Sequence, residues 1–181
     1  MKRFIAILAA CMTMAISLIS CGNKNNNDSK KKNQSGSDKI ANDYAETCYS
    51  KKGGETHYTL TSPDEYIEEL KADDKWDSMI DDYNDLAKVR LVSYEFTVKD
   101  VKKGDELSKK ALAGVESCFE KYYNIEGLEA EKGYEYKIKF QAVDKENGDK
   151  NTSIDKICVV KLDEGWKVIS CDAEFLERYA D

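Results

Sequence analysis

Between Tyr134 and Ala142 the chain alternates without a break. Tyr134, Tyr136, Ile138, Phe140 and Ala142 are aromatic or apolar, and Glu135, Lys137, Lys139 and Gln141 separate them. Successive side chains of a strand point to opposite faces, so this period of two fits a half-buried strand and no helix. The same period starts at Arg90, where Val92, Tyr94, Phe96 and Val98 face one way and Ser93, Glu95, Thr97 and Lys99 the other. The segment Asp144-Lys145-Glu146-Asn147-Gly148-Asp149 has the residue types of a hairpin loop. Ile154 to Leu162 and Trp166 to Cys171 then read as a further hairpin.

Helical spacing governs the rest. Ile40, Ala41, Tyr44, Ala45 and Cys48 predict a short helix over Asp38 to Ser50, with Gly53-Gly54 as its stop. Thr56 to Thr61 reads as extended chain or loop. Ser62-Pro63-Asp64-Glu65 is a helix start, with serine at the cap and proline in the first turn. The stripes Tyr66, Ile67, Leu70 and Trp76, Met79, Ile80, Tyr83, Leu86, Ala87 are out of phase, which predicts a break near Ala72 to Asp74 and an aspartate capping the second helix. Gly104-Asp105 opens a helix of about five turns, whose apolar face is Leu107, Ala111, Leu112, Val115, Cys118, Phe119, Tyr122 and Tyr123. Asp172 can cap a closing helix through Phe175, Leu176 and Tyr179.

The fold class is therefore α+β, with N-terminal helices packed on a curled antiparallel sheet. Element order from Ser62 to Cys171 and the Gly165-Trp166-Lys167-Val168-Ile169 ending resemble the NTF2-like, cystatin-related cone. That resemblance implies little about function, because the fold hosts enzymes, ligand-binding modules and interaction domains alike. It does imply an inward sheet face, where Tyr94, Phe96, Tyr134 and Tyr136 would line an apolar pocket or simply fill the cone.

The N-terminus supplies an address. Lys2 and Arg3 precede an apolar run from Phe4 to Ile19, and Leu18-Ile19-Ser20-Cys21 resembles the lipobox of bacterial lipoproteins. The run falls short of the roughly 20 residues of a spanning helix. The resemblance implies that residues 1–20 are removed, that Cys21 is acylated, and that the protein is exported and held on the outer face of the cell membrane by lipid. Leu8-Ala9-Ala10-Cys11 fits the same pattern but leaves too short an apolar segment before it. Residues 21–37 contain no aliphatic or aromatic side chain and read as a disordered tether, leaving 38–181 as a single domain.

Charge divides along the same boundary. Residues 22–39 carry five lysines against two aspartates, whereas residues 40–181 carry 33 acidic and 21 basic side chains. A basic tether is drawn to anionic lipid and an acidic domain is repelled, so the domain is expected to stand off the membrane. The acid excess also argues against a nucleic-acid partner.

Candidate chemistry is sparse. With Glu164-Gly165 as a two-residue turn, Cys158 falls opposite Cys171 and Val160 opposite Ile169, so the pair reads either as a disulfide staple in an oxidising compartment or as two small buried hydrophobes. Cys48 and Cys118 lie on apolar helix faces and read as core thiols, or as a pair if those faces meet. No Cys-x-x-Cys spacing is present, and neither metal nor cofactor is expected. His57, the single histidine, has no carboxylate positioned by the pattern to make a catalytic dyad. Asp73, Asp77, Asp81 and Asp85 recur every four residues, as a face for a basic partner or a solvated surface. Asp144, Glu146, Asn147 and Asp149 offer oxygen ligands but depart from the EF-hand pattern. The reading is a membrane-anchored, non-enzymatic binding or interaction domain for a protein or small molecule; the alternative is an NTF2-like small-molecule-binding or hydrolytic protein using the aromatic pocket.

Overall fold

The alternating segment becomes β2 (Ala130–Asp144), an inner strand of a four-stranded antiparallel sheet ordered β1-β2-β3-β4. Its neighbours are β1 (Tyr94–Glu106) and β3 (Lys150–Leu162), and β4 (Gly165–Ile169) forms the far edge. The computed structural model describes residues 36–180; the expected export signal, Cys21 and residues 21–35 of the expected tether lie outside them. The architecture is α+β with a curled, open sheet.

Each sheet face is covered by different helices. Tyr136, Ile138 and Phe140 of β2, with Ile157 and Val159 of β3 and Val168 of β4, pack beneath α1 (Gly36–Thr47), which contributes Ala41, Tyr44 and Ala45. Leu60 of α2 (Gly54–Thr61) completes that layer. On the reverse face Cys158, Val160 and Leu162 meet Ala111, Val115, Cys118 and Phe119 of α5 (Lys109–Tyr123) and Leu176 of α6 (Ala173–Tyr179). The strand core is thus buried on both sides at its β3–β4 end, and we call the two sides the α1 face and the α5 face. Along α5 the Gly114 position admits no side chain, since a methyl there would lie 1.9 Å from the Leu176 carbonyl oxygen.

Helices α3 (Asp64–Ala72) and α4 (Trp76–Ser93) are separated where expected, with Asp74 in the left-handed region at φ 56°. Asp172 caps α6, accepting from Phe175 N at 2.9 Å.

Several boundaries differ from the sequence reading. The helix α1 begins at Gly36, two residues inside the expected tether, because Ser37 is buried against the sheet. Thr56 to Thr61 is helical. Thr59 and Thr61 hydroxyls donate back to the Glu55 and His57 carbonyls, and Leu60 buries against the core. Ser62 does not cap α3; the Asp64 N–H is met instead by Glu164 Oε2 at 3.1 Å, from the distant β3–β4 turn. Nor does an aspartate side chain cap α4, whose N-cap position is Lys75.

Arg90 to Ser93 stays helical rather than starting β1, because Lys145 of the β2–β3 loop meets the α4 terminus. Its N–H donates to Ser93 O and its Nζ to Leu91 O. Gly104 and Asp105 remain in β1, and α5 starts later and is shorter than expected, at 15 residues. Its N-cap is Ser108, whose hydroxyl accepts from Ala111 N.

The β3–β4 register also differs. The turn is Asp163-Glu164, so Cys158 pairs with Ile169 and Val160 with Lys167. Cys171 lies beyond the last rung, and the expected Cys158–Cys171 opposition is not formed. Ile169 is expected opposite Val160; Lys167 takes that place and is buried because Asp64 and Glu164 reach its ammonium.

Candidate functional site

The four residues expected to line one pocket are spread along the α1 face. Tyr136 lies at its centre, 1% exposed, and its hydroxyl donates to Asp38 Oδ1 at 2.7 Å and lies 2.9 Å from Ser37 Oγ. Tyr134 stacks toward Trp166 near the β4 edge, and Lys103 Nζ sits 3.3 Å from its ring centre. Phe96 stacks on Tyr49 of the α1–α2 link with centroids 3.9 Å apart. Tyr94, at the start of β1, is exposed. Ile138 and Phe140 fill the space between Tyr136 and Phe96, so the four rings do not converge on one cavity. The sequence pattern places the four rings on one face of a sheet packed by N-terminal helices, and the structure adds which helix, α1, seats on Tyr136.

His57 sits inside an aromatic box. Its ring stacks on Tyr83 at 4.3 Å and meets Tyr44 and Tyr58 at 5.5 Å each. Nδ1 is buried without a hydrogen-bond partner, and burial lowers the imidazole pKa to about 4. The ring is therefore neutral near neutral pH and lacks a carboxylate to orient it, so it packs rather than shuttles protons.

Cys48, Cys118 and Cys158 are free thiols. Burial pushes Cys48 and Cys158 up to about 12 and Cys118 up to about 11, far from the thiolate needed of a nucleophile. Among the described residues no group of three or more His, Cys, Asp or Glu side chains could hold a metal ion. In the β2–β3 loop, Asp144 Oδ1 accepts from Glu146 and Asn147 N–H groups, and Asn147 Oδ1 accepts from Asp149 N. Those oxygens serve the turn itself.

Lys167 is the buried charge that sequence reasoning missed. Its Nζ donates to Thr59 O at 3.1 Å and to Asp64 Oδ1 at 2.7 Å, with Glu164 Oε1 at 3.4 Å. This clasp ties the α2–α3 corner to the β3–β4 turn.

The exposed feature that stands out is on α4. Leu86, Val89 and Val92 recur every three residues and are 42%, 70% and 73% exposed. Asp82 and Asp85 flank the shallow groove that Leu86 and Val89 line. The expected aspartate stripe reduces to Asp77, Asp81 and Asp85 on this helix, since Asp73 belongs to the end of α3. Large apolar side chains grouped on an exposed helix mark interaction surfaces, and the aspartates fix the charge a partner must carry. No protein-family model matches the chain, and no curated protein matches it.

Proposed function

We propose that this protein is a lipid-anchored, extracytoplasmic binding domain of the bacterial cell envelope that engages a protein partner through α4. The observation that carries the reading is the exposed Leu86–Val89–Val92 strip beside Asp82 and Asp85. Its partner is a segment combining apolar and basic side chains, because burying this groove without a cation would strand the carboxylates. The Leu18-Ile19-Ser20-Cys21 sequence supports the address. A small-molecule or hydrolytic role on the α1 face has less support, since Tyr136, Ile138 and Phe140 are at most 1% exposed.

A photo-crosslinking residue at Val89 tests the surface. In cells it should capture one partner through a basic, apolar segment, and the same residue at Lys109 on α5 should not; equal capture from both positions overturns the α4 assignment. Cys21→Ser tests the anchor separately. It should release the protein from the membrane fraction or leave an uncut precursor, and normal cutting and acylation would sink that part of the reading.

A further inference from the structure

The domain's acid excess is unevenly placed. Residues 64–85, covering α3 and most of α4, hold ten acids against Lys71 and Lys75. Of these, α4 lies on the α1 side of the sheet, joined to α2 through the His57–Tyr83 stack and the Gly54 N–H to Asn84 Oδ1 bond, while α3 sits at the β4 edge, with Asp64 on Lys167 and Tyr66 against Tyr123 of α5.

On the reverse side α5 and α6 cover only the β3–β4 end. The register lays out what remains. Lys102 of β1 opposes Lys137 of β2, which in turn opposes Lys156 of β3, making a row of lysines across three strands. The next rung on this face is Asp100, Lys139 and Ile154, and Lys150 stands further along β3 opposite Val143. Lys102, Lys137, Lys139, Lys150 and Lys156 are all exposed, and Ile154 projects among them at 62% exposure. Lys156 meets Asp172 at 3.6 Å. Glu95 and Asp100 are the acids of β1 on the same uncovered half.

Like charges held directly opposite across a ladder are unfavourable on their own. An anionic surface reverses that cost, and a lysine-bearing sheet surface with one protruding aliphatic side chain suits lipid headgroups over a boundary of acyl chains. We propose that the uncovered half of the α5 face rests on anionic lipid headgroups, which directs α4 away from the membrane toward its partner. This deepens the membrane-anchored reading and rests on it for the choice of lipid as the polyanion. It is the alternative to the expected domain held off the membrane, and it follows from the uneven placement of charge within the domain.

Chain geometry fits. The described chain begins at Gly36, and the adjoining Asp38 bonds Tyr136 on the α1 face. The next residue of β2, Lys137, belongs to the lysine row on the other face. Residues 22–35 allow at most about 3.3 Å each, roughly 45 Å in all, between Gly36 and an anchor at Cys21.

Lysine acetylation read by mass spectrometry tests this on the full-length chain. The protein is mixed with phosphatidylcholine vesicles, with phosphatidylcholine vesicles doped with phosphatidylglycerol, or with soluble polyphosphate. Doping should slow acetylation of Lys102, Lys137, Lys139, Lys150 and Lys156 by about tenfold at low salt, with recovery at high salt. Lys71, Lys75 and Lys88 should react equally throughout.

Replacing Lys102, Lys137 and Lys156 together by glutamate, with unchanged circular dichroism, should abolish the effect of doping on Lys139 and Lys150. Equal reactivity in both vesicles, equal protection of Lys71, Lys75 and Lys88, or protection by polyphosphate alone overturns the proposal. Flotation on undoped vesicles reports the anchor independently. A chain that floats there but gains no protection from doping keeps the anchor and loses the sheet contact; the converse keeps the contact and loses the anchor.

Discussion

Lys167 and Asp64 lie 103 residues apart in sequence, yet the lysine Nζ donates to the carboxylate across 2.7 Å from a position where its own side chain is 5% exposed. Glu164, its side chain 16% exposed, shares the ammonium. Lys167→Met keeps the volume but leaves the Glu164 carboxylate without its cation, and it should cost about 2 to 4 kcal/mol. Adding Glu164→Gln to that variant should restore part of the loss, because the stranded charge is gone. Urea denaturation of the wild type, both single variants and the double variant measures this; strict additivity would remove the coupling.

Gly114→Ala follows from packing against Leu176. Helix propensity alone predicts a gain of about 1 kcal/mol for alanine over glycine in a helix interior. Here the methyl meets the Leu176 carbonyl oxygen at 1.9 Å, so α6 must move and the apolar layer beneath it opens. The expected result is a net loss of about 2 kcal/mol or more and a lower Tm. A variant as stable as the wild type would mean the α5–α6 contact is looser than described.

The boxed histidine sets a pH dependence. An unfolded histidine titrates near about 6.5, whereas His57 in its box is held at about 4 by burial. The unfolded chain therefore binds more protons between those values, so the contribution of His57 is complete above about pH 6.5 and is lost as pH falls toward 4. At about pH 5 the loss should be on the order of 2 kcal/mol. His57→Phe keeps the stacking on Tyr83 and gives up no Nδ1 hydrogen bond. The drop in stability from about pH 7 to about pH 5 should be smaller in the variant by that amount. Identical drops would show that the imidazole is not desolvated.

Surface placement of the α4 strip predicts tolerance. Val89→Ser and Val92→Ser should each change stability by no more than about 0.5 kcal/mol, because little of either side chain is removed from water in the isolated domain. Thermal melts of the purified variants measure this. A large loss from either would assign the strip to the core instead of to a partner.

What was legible in the sequence is what local pattern decides. The alternation of Tyr134 to Ala142 gave β2 and its buried face, the out-of-phase stripes gave the break at Asp74, and the apolar face of α5 was found nearly whole. What escaped depends on residues far apart in the chain. The helix α2 has a threonine-rich sequence with little apolar periodicity, and its side chains earn their helical positions by packing on α1 and α4. The end of α4 is fixed by Lys145, more than fifty residues later. The β3–β4 register was misread for the same reason, since a lysine opposite Val160 is acceptable only when Asp64 and Glu164 close over it. Of the four rings, the sequence placed all on one face of a helix-packed sheet but not which helix covers it, because that contact joins Asp38 to Tyr136, 98 residues later.

The contact of Asp38 and Ser37 with Tyr136 has a mechanical consequence. Chain entering the domain at Gly36 does not hang from a loop but joins a helix seated on the centre of the sheet. Any pull on the preceding segment is delivered through the first turn of α1 to an inner strand, so force would lift that helix before it reached α5 or α6. The opposite layer and its lysine-bearing surface would keep their shape while the first helix bore the load.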